Sequence, residues 1–142
     1  MKVYIAGNPK THKRRLEELF SAIQEAGYEI TRDWLHADEL GKPRQLIAEL
    51  DLAAVHEADI LILLDAEQGW GMYVEMGAAL AWDKPVFVLD PIYNQIFFSL
   101  PQVTLFDGRH QLLAHLNWWE RDRKEGRREA RMRDPGEDHD DS

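Results

Sequence analysis

The chain has 142 residues, a length typical of a single domain, which buries about two-thirds of its unfolded surface. Its net charge of −9 argues against general affinity for nucleic-acid backbones or anionic membranes. The absence of cysteine excludes a disulfide framework, and no apolar run reaches the roughly 20 residues of a membrane span. Because the first apolar run is also too short for a signal peptide, we expect a cytoplasmic protein.

Apolar runs and helical periodicities predict nine elements. In chain order they are strand 3–6, a helix from 11 or 12 to about 26, strand 28–31 running on to 34, helix 43–57, strand 59–64, helix 72–82, strand 86–89, strand 103–106 and helix 110–120. Gly27 is placed to end the first helix, and Pro43 to begin the second. Between the last two strands the residues predict a loop.

This alternation of strands and helices predicts an α/β fold with a parallel sheet covered on both faces. Right-handed crossovers make the flavodoxin-like, doubly wound, five-stranded order 2-1-3-4-5 the simplest choice. We expect residues 1–120 to form this domain. The last 22 positions carry seven basic and eight acidic residues, so 121–142 is predicted to be a charged tail, helical at first and disordered beyond 133.

In that strand order the switch point lies between the first and third strands, and ligands bind there at the carboxyl ends of the strands. The flanking loops are then 7–13 and 65–72. The second loop leads directly to Glu75, the only charged residue between Glu67 and Asp83. The topology therefore predicts an isolated carboxylate beside a cleft.

Glu75 is unusual because its predicted helix is apolar on all sides. Such a helix is buried all round, so we expect another subunit to cover its outer face and predict a homo-oligomer. Near a helix N-terminus the dipole favours the ionised carboxylate, which could act as a nucleophile. The alternative is a structural glutamate that is hydrogen-bonded to the neighbouring backbone or to Tyr4.

Five other residues are candidates for the cleft, and each also has a structural interpretation. Asp51 could face the site or be a solvated helix residue, and Tyr4 could be a site residue or core. Asp65 could reach the cleft or cap the turn before the helix. Asp33 and Trp34 follow the second strand, where the indole could stack on a planar ligand or simply lie half-buried at the surface.

Lys10, His12 and Lys13 border the first loop and could meet a phosphate at the following helix N-terminus, although such clusters are more often solvated turns. No P-loop and no Gly-x-Ser-x-Gly elbow is present. The six histidines show no metal-binding spacing, so we predict neither a metal nor a cofactor.

Residues 1–90 also contain a series of short motifs. They are Tyr4-Ile5-Ala6-Gly7, Ile30-Thr31-Arg32-Asp33-Trp34, Asp51 before Ala58-Asp59-Ile60-Leu61, and Gly69-x-Gly71-x-x-x-Glu75-x-Gly77-x-Ala79-x-Ala81-x-x-Lys84-Pro85-Val86. Together they resemble the nucleoside 2-deoxyribosyltransferase family, whose frame is shared by related deoxynucleoside 5′-monophosphate N-glycosidases.

The resemblance implies a flavodoxin-like oligomer with the active site near a subunit interface and a nucleoside or nucleotide as substrate. It implies that Glu75 attacks the anomeric carbon and forms a glycosyl-enzyme, which a second base or water resolves. Asp51 would help to bind the sugar and the leaving base, and Tyr4 would orient Glu75. The residues expected around the substrate are Gly7, Asp33, Trp34, Asp65, Gly69, Gly71 and Met72, with Lys10 and Lys13 toward a phosphate.

Gly69 departs from the family pattern, because family transferases carry an acid at this position and the nucleotide hydrolases carry a serine. The proton donor and the phosphate contact are therefore left open, with Glu67 or Asp65 as substitutes. Two other functions stay open at this point. The chain could be a nucleotide-binding module without turnover, or a glycohydrolase that cleaves the nicotinamide ribosyl bond of NAD.

Overall fold

A computed structural model describes residues 1–133 of the chain. Within them it has five strands, four α-helices and one short 3₁₀ helix. In order these are β1 (Lys2–Ala6), α1 (Pro9–Glu25), β2 (Glu29–Ile30), α2 (Arg44–Glu57), β3 (Ile60–Leu64), α3 (Trp70–Ala81), β4 (Val86–Leu89), the 3₁₀ helix (Ile96–Ser99), β5 (Val103–Phe106) and α4 (Arg109–Arg133). The tail predicted beyond residue 133 lies outside the described residues.

The five strands form one parallel sheet in the order β2-β1-β3-β4-β5, which confirms the predicted fold class. All five residues of β3 are buried, as expected for a strand covered on both faces. The chain leaves β1 toward β2 on one side and returns to β3 on the other. The loops that follow β1 and β3 therefore diverge at the carboxyl ends of these strands and leave a cleft between them.

The helices position this cleft by packing on opposite faces of the sheet. On one face, Tyr4 and Ala6 of β1 share a core cluster with residues of α2 and α3. Val3 and Ile5 alternate with them and so point to the other face, which α1 covers because right-handed crossovers put it opposite α2. The buried stripe of α1 consists of Leu16, Leu19, Phe20 and Ile23.

The start of α1 and the length of β2 differ from the prediction. α1 begins at Pro9 because the Asn8 side chain accepts from the Lys10 backbone N–H at 3.0 Å, and a kink at His12 separates this first turn. β2 ends at Ile30 instead of running on to 34. After a last bond from the Thr31 N–H to the Val3 carbonyl, the chain turns toward α2.

The ends of α1 and α4 follow local chemistry. Gly27 has a φ of 91° and ends α1, with the Tyr28 N–H bonded to the Ile23 carbonyl in a Schellman arrangement. α4 continues as one helix to Arg133, through the stretch where we predicted a helical extension. The chain divides into two compact units, and the sheet belongs to the unit formed by residues 1–112.

Candidate active site

A cavity of about 450 Å³ opens at the carboxyl ends of β1 and β3. Residues 7–10 form one wall and residues 68–72 form another, and Trp34, Asp51 and Glu75 complete the lining. Both loops that flank the switch point therefore contribute to one site. The cavity collects Glu75, Asp51 and most of the substrate-binding residues expected from the sequence, namely Gly7, Trp34, Gly69, Gly71 and Met72, together with Lys10.

Glu75 lies in the second turn of α3, half-buried in the cavity wall. Its Oε2 is buried and meets no partner with full hydrogen-bond geometry within residues 1–133. Burial raises the pKa of Glu75 to about 7. The Asp51 charge also raises this pKa, whereas the Tyr4 hydroxyl and the Arg32 charge lower it. A carboxylate with this pKa is substantially ionised at neutral pH and retains lone pairs for a reacting atom.

Tyr4 is fully buried in the middle of β1, with its hydroxyl beside the Glu75 carboxylate. Burial and the charge of Glu75 raise the pKa of Tyr4 well above its usual range. The hydroxyl is therefore a neutral donor, although within the described chain its Oη also lacks a partner at full hydrogen-bond geometry. Such a donor can orient the carboxylate and stabilise its ionised form.

Asp51 faces the cavity from α2 and is held by Arg32. The Arg32 Nε donates to Asp51 Oδ1 at 2.8 Å, and the same guanidinium donates to Glu39. The Arg32 and Asp51 side chains are only 13% and 24% exposed, so this pair is shielded from solvent. The arrangement presents Asp51 to the cavity as a fixed hydrogen-bond acceptor.

Two tryptophans border the cavity in different ways. Trp34 is fixed because its Nε1 donates to the Ile5 carbonyl at 2.6 Å and its ring packs edge-on against Phe20. Trp70 begins α3 and is 82% exposed at the cavity mouth. The cavity thus has a rigid aromatic wall and an aromatic rim, which suit a planar ligand.

The two loops are tied to each other across the cavity. The Asn8 side chain donates to the Gln68 carbonyl while its oxygen caps α1. Gly69 precedes α3, and a Cβ added there would lie 2.7 Å from Cε of Met72. The Met72 side chain therefore occupies the space in which a larger residue at position 69 would project.

Three residues expected near the substrate do not line this cavity. Asp33 bonds the His36 ring at 2.7 Å and the His36 N–H at 3.1 Å, which closes a turn. Lys13 is exposed on α1 and is not part of the lining. Asp65, the third, is completely buried and is not part of the lining.

Asp65 is completely buried and organises the loops around it. It accepts hydrogen bonds from the Ala66 N–H at 3.0 Å, from the Tyr73 hydroxyl at 2.6 Å and from the Ile92 N–H at 2.8 Å. Glu67, the other suggested proton donor, is exposed and does not line the cavity. Neither residue is placed to replace the acid or serine missing at Gly69.

Arg32, Glu39 and Asn8 are the site-forming residues that sequence reasoning missed. Arg32 lies in the motif with Asp33 and Trp34, so a cation beside two candidate site residues was the available signal. No signal in the sequence indicated Glu39, because its pairing with Arg32 depends on how the 35–42 loop folds. Within residues 1–133, no cluster of side chains is suited to a metal ion and no helix is long and apolar enough to cross a membrane.

The fold recurs in solved structures of other proteins. Clostridium botulinum CMP N-glycosidase BcmB superposes with a TM-score of 0.62 at 21% identity, over 83% of this chain and 99% of its own. The 2-deoxyribosyltransferase of Bacillus psychrosaccharolyticus gives 0.61 at 21% identity, over 80% of this chain and 90% of its own. A conserved protein of Enterococcus faecalis gives 0.61 at 17% identity, over 83% of this chain and 98% of its own.

No family model matches the sequence, and no curated protein does. At 17–21% identity the structural matches establish a shared fold. It is the fold that the motifs of residues 1–90 implied.

Proposed function

We propose that this chain belongs to the nucleoside 2-deoxyribosyltransferase family and cleaves the N-glycosidic bond of a (deoxy)nucleoside or (deoxy)nucleotide. Glu75 is the nucleophile, and the sugar passes to another base or to water. The observation that carries the proposal is the half-buried Glu75 carboxylate, with an unpartnered oxygen, in the cavity at the switch point. Two of the proteins that share the fold are named as an N-glycosidase and a 2-deoxyribosyltransferase.

The reaction proceeds in two displacements. A Glu75 oxygen attacks the anomeric carbon, the bond to the base nitrogen breaks, and its electron pair leaves with the base, which takes up a proton. The transition state has oxocarbenium character, and the product is a glycosyl ester on Glu75. An acceptor base or a water then attacks the same carbon, loses its proton and releases the carboxylate. Two inversions give net retention.

The surrounding side chains support this chemistry. Tyr4 orients the Glu75 carboxylate, and Asp51 accepts hydrogen bonds from the sugar or the leaving base. Trp34 forms a flat wall against which a base can pack. The titratable residues that line the cavity are Lys10, Asp51 and Glu75. With Glu75 as nucleophile and Asp51 held as an acceptor by Arg32, the proton for the leaving base comes from Lys10 or a water molecule.

A base-release assay tests this function. The protein is incubated with ribo- and deoxynucleosides, their 5′-monophosphates and NAD, with and without an acceptor base, and free base is followed by chromatography. Mass spectrometry of the quenched enzyme should show the added mass of the sugar. We expect Glu75→Gln to abolish base release and the mass adduct, and Glu25→Gln on the exposed face of α1 to leave both unchanged.

Three outcomes separate the alternatives. Base release that survives Glu75→Ala would contradict the mechanism. Nucleotide binding by calorimetry without base release at high enzyme concentration would indicate a binding module. Nicotinamide release from NAD, with nucleosides and nucleotides untouched, would indicate a glycohydrolase of that class.

We also propose that the protein is a homo-oligomer that associates through the outer face of α3. Val74 on this helix and Trp82 at its C-cap are 63% and 42% exposed, and Trp70 is more exposed still. An apolar groove of about 600 Å³ runs between α3 and the 3₁₀ helix. Because Trp70 borders both this groove and the site cavity, a second copy seated here would lie beside the active site.

A further inference from the structure

We propose that Arg32 is a positioning residue of this site: its guanidinium, itself clamped by Glu39, fixes the Asp51 carboxylate beside Glu75. The contacts of Arg32 with Asp51 and Glu39 are observed in the structure, whereas their effect on catalysis rests on the proposed function. Arg32 does not line the cavity, so it acts through Asp51 and not on the substrate.

The clamp consists of ion pairs that meet at one guanidinium. Arg32 Nε donates to Asp51 Oδ1 at 2.8 Å, and a terminal nitrogen of Arg32 donates to Glu39 Oε1. The other Glu39 oxygen lies 3.5 Å from Lys42 Nζ. The Arg32 side chain is 13% exposed, and those of Asp51 and Glu39 are 24% and 27% exposed. Ion pairs shielded to this degree restrict geometry, unlike exposed pairs between two long side chains.

The backbone around Arg32 is anchored as well. The Thr31 hydroxyl donates to the Ala54 carbonyl on α2 at 2.9 Å, and the Trp34 indole donates to the Ile5 carbonyl on β1 at 2.6 Å. Arg32 lies between these two anchors. Its guanidinium is therefore held in position relative to α2, which carries Asp51, and relative to β1, which carries Tyr4.

The site needs such a cation because two carboxylates face one substrate. Glu75 is surrounded by Tyr4 from β1, Asp51 from α2 and Arg32 from the loop after β2, and Lys10 of α1 lies across the cavity. Asp51 disfavours ionisation of Glu75 and Arg32 favours it. Without Arg32, Asp51 would be free to change rotamer and its charge would act on Glu75 uncompensated.

An arginine suits this position better than a lysine because its planar fork can serve two carboxylates at once. Substitution by lysine therefore separates the charge from the geometry. Arg32→Lys keeps a cation near Asp51 but replaces the separate Nε and terminal-nitrogen bonds to Asp51 and Glu39 with a single compact ammonium, whereas Arg32→Gln removes the cation.

The test measures the pH dependence of kcat/KM for base release in four variants. For Arg32→Gln we expect kcat/KM at neutral pH to fall about ten- to a hundredfold, the usual factor for a charge-assisted hydrogen bond, and its acid limb to move to higher pH. Arg32→Lys should keep the limb near its wild-type position with a smaller loss. Glu39→Gln should reduce kcat/KM severalfold, and Arg14→Gln, in an exposed pair on α1, should change nothing.

A double-mutant cycle distinguishes positioning from general stability. If Arg32 acts through Asp51, Arg32→Gln combined with Asp51→Asn should lose little more activity than Asp51→Asn alone. Additive losses, or an acid limb that does not move, would overturn the proposal. If Arg32→Gln does not fold, Glu39→Gln and Arg32→Lys decide, and wild-type kinetics in both would overturn it.

A direct titration keeps this proposal separate from the proposed function. Carboxyl-carbon NMR of glutamate-labelled protein should show a higher titration midpoint for Glu75 in Arg32→Gln than in wild type, with Glu75→Gln identifying the signal. If the wild type releases no base from any substrate, the proposed function fails while this readout still tests the clamp. An unchanged midpoint would overturn the clamp whatever the activity.

Discussion

Glu75 combines a chemical advantage with an energetic penalty. Burial raises its pKa to about 7, so the folded protein resists ionising the group that the proposed reaction needs as an anion. The Tyr4 hydroxyl and Arg32 limit this shift, and Asp51 adds to it. Catalysis and stability should therefore respond to pH in opposite directions around neutrality.

The first prediction concerns activity. Because the ionised form of Glu75 is the nucleophile, kcat/KM should rise about tenfold per pH unit below about pH 7 and level off above it. Base release measured between pH 5 and pH 9 would show this limb. A profile that is flat across this range would contradict the assignment of Glu75.

The second prediction concerns stability. An acid whose pKa rises on folding contributes stability that is fully present below its unfolded pKa of about 4.5 and lost as the pH rises through about 7. The loss corresponds to about 2–4 kcal/mol. The unfolding free energy of Glu75→Gln minus that of the wild type should therefore increase by about this amount from pH 5 to pH 8.

Urea unfolding at the two pH values measures this gain. Glu25→Gln, an exposed glutamate on α1, is the control and should show no comparable change with pH. An equal stability difference between Glu75→Gln and wild type at both pH values would show that Glu75 does not titrate in this range.

At the level of elements, the site depends on two loops that are held by side chains outside the cavity. Asp65 at the end of β3 bonds its own loop, Tyr73 on α3 and the loop after β4. Burial and the Asp65 carboxylate raise the pKa of Tyr73 to about 12, so the hydroxyl remains a donor. Asp65 thus fixes α3, and with it Glu75, relative to the sheet.

The third prediction tests this junction. Asp65→Ala removes the carboxylate that accepts from the Ala66 and Ile92 N–H groups and leaves the Tyr73 hydroxyl only its longer bond to the Ala66 carbonyl at 3.3 Å. The free energy of unfolding should therefore fall by about 3 kcal/mol or more. Tyr73→Phe removes one of these bonds and should cost about 1 kcal/mol. Urea unfolding of both variants gives the comparison, and a smaller effect for Asp65→Ala would contradict the role given to it.

At the level of the whole molecule, the outer face of α3 remains apolar and exposed in a single chain. The sequence predicted that another subunit covers this face, and in the single chain Val74 and Trp82 are 63% and 42% exposed. Exposed apolar patches of this kind are typical of protein–protein interfaces. The proposed homo-oligomer would bury them.

The fourth prediction tests association through this face. Light scattering at micromolar concentration should give the mass of a dimer or a higher oligomer for the wild type. Val74→Lys places a charge on the exposed face and should yield monomers, while Ser21→Lys on the exposed side of α1 should keep the wild-type mass. A monomeric wild type would contradict the proposal.

Much of the fold could be predicted from sequence because its signals are local. The five strands and four helices follow apolar runs and helical periodicity, and their alternation with right-handed crossovers allows one simple strand order. β2 ran shorter than predicted because the Thr31 N–H makes the last bond to β1, and the side chains of Thr31 and Arg32 bond α2. Such long-range pairing leaves no trace in the local pattern.

The site was predictable only where a residue conflicts with its surroundings. Glu75 stands alone in an apolar helix and could be found. Asp65 and Asp33 looked like Asp51 in sequence, but Asp65 bonds the loops around it and Asp33 bonds His36 within its own turn. Arg32 and Glu39 are ordinary surface types whose importance comes from their contacts.

By itself, the sequence determined the parallel five-stranded fold, its switch point and the carboxylate beside it, because these depend on periodicity, chain order and a single anomalous residue. Only the tertiary structure decided which carboxylates face the cavity and which cation holds Asp51. The physical reason is that a charged side chain is stabilised by partners far away in sequence: Arg32 is 19 positions from Asp51, and Tyr4 is 71 positions from Glu75. Such pairings exist only after the chain has folded.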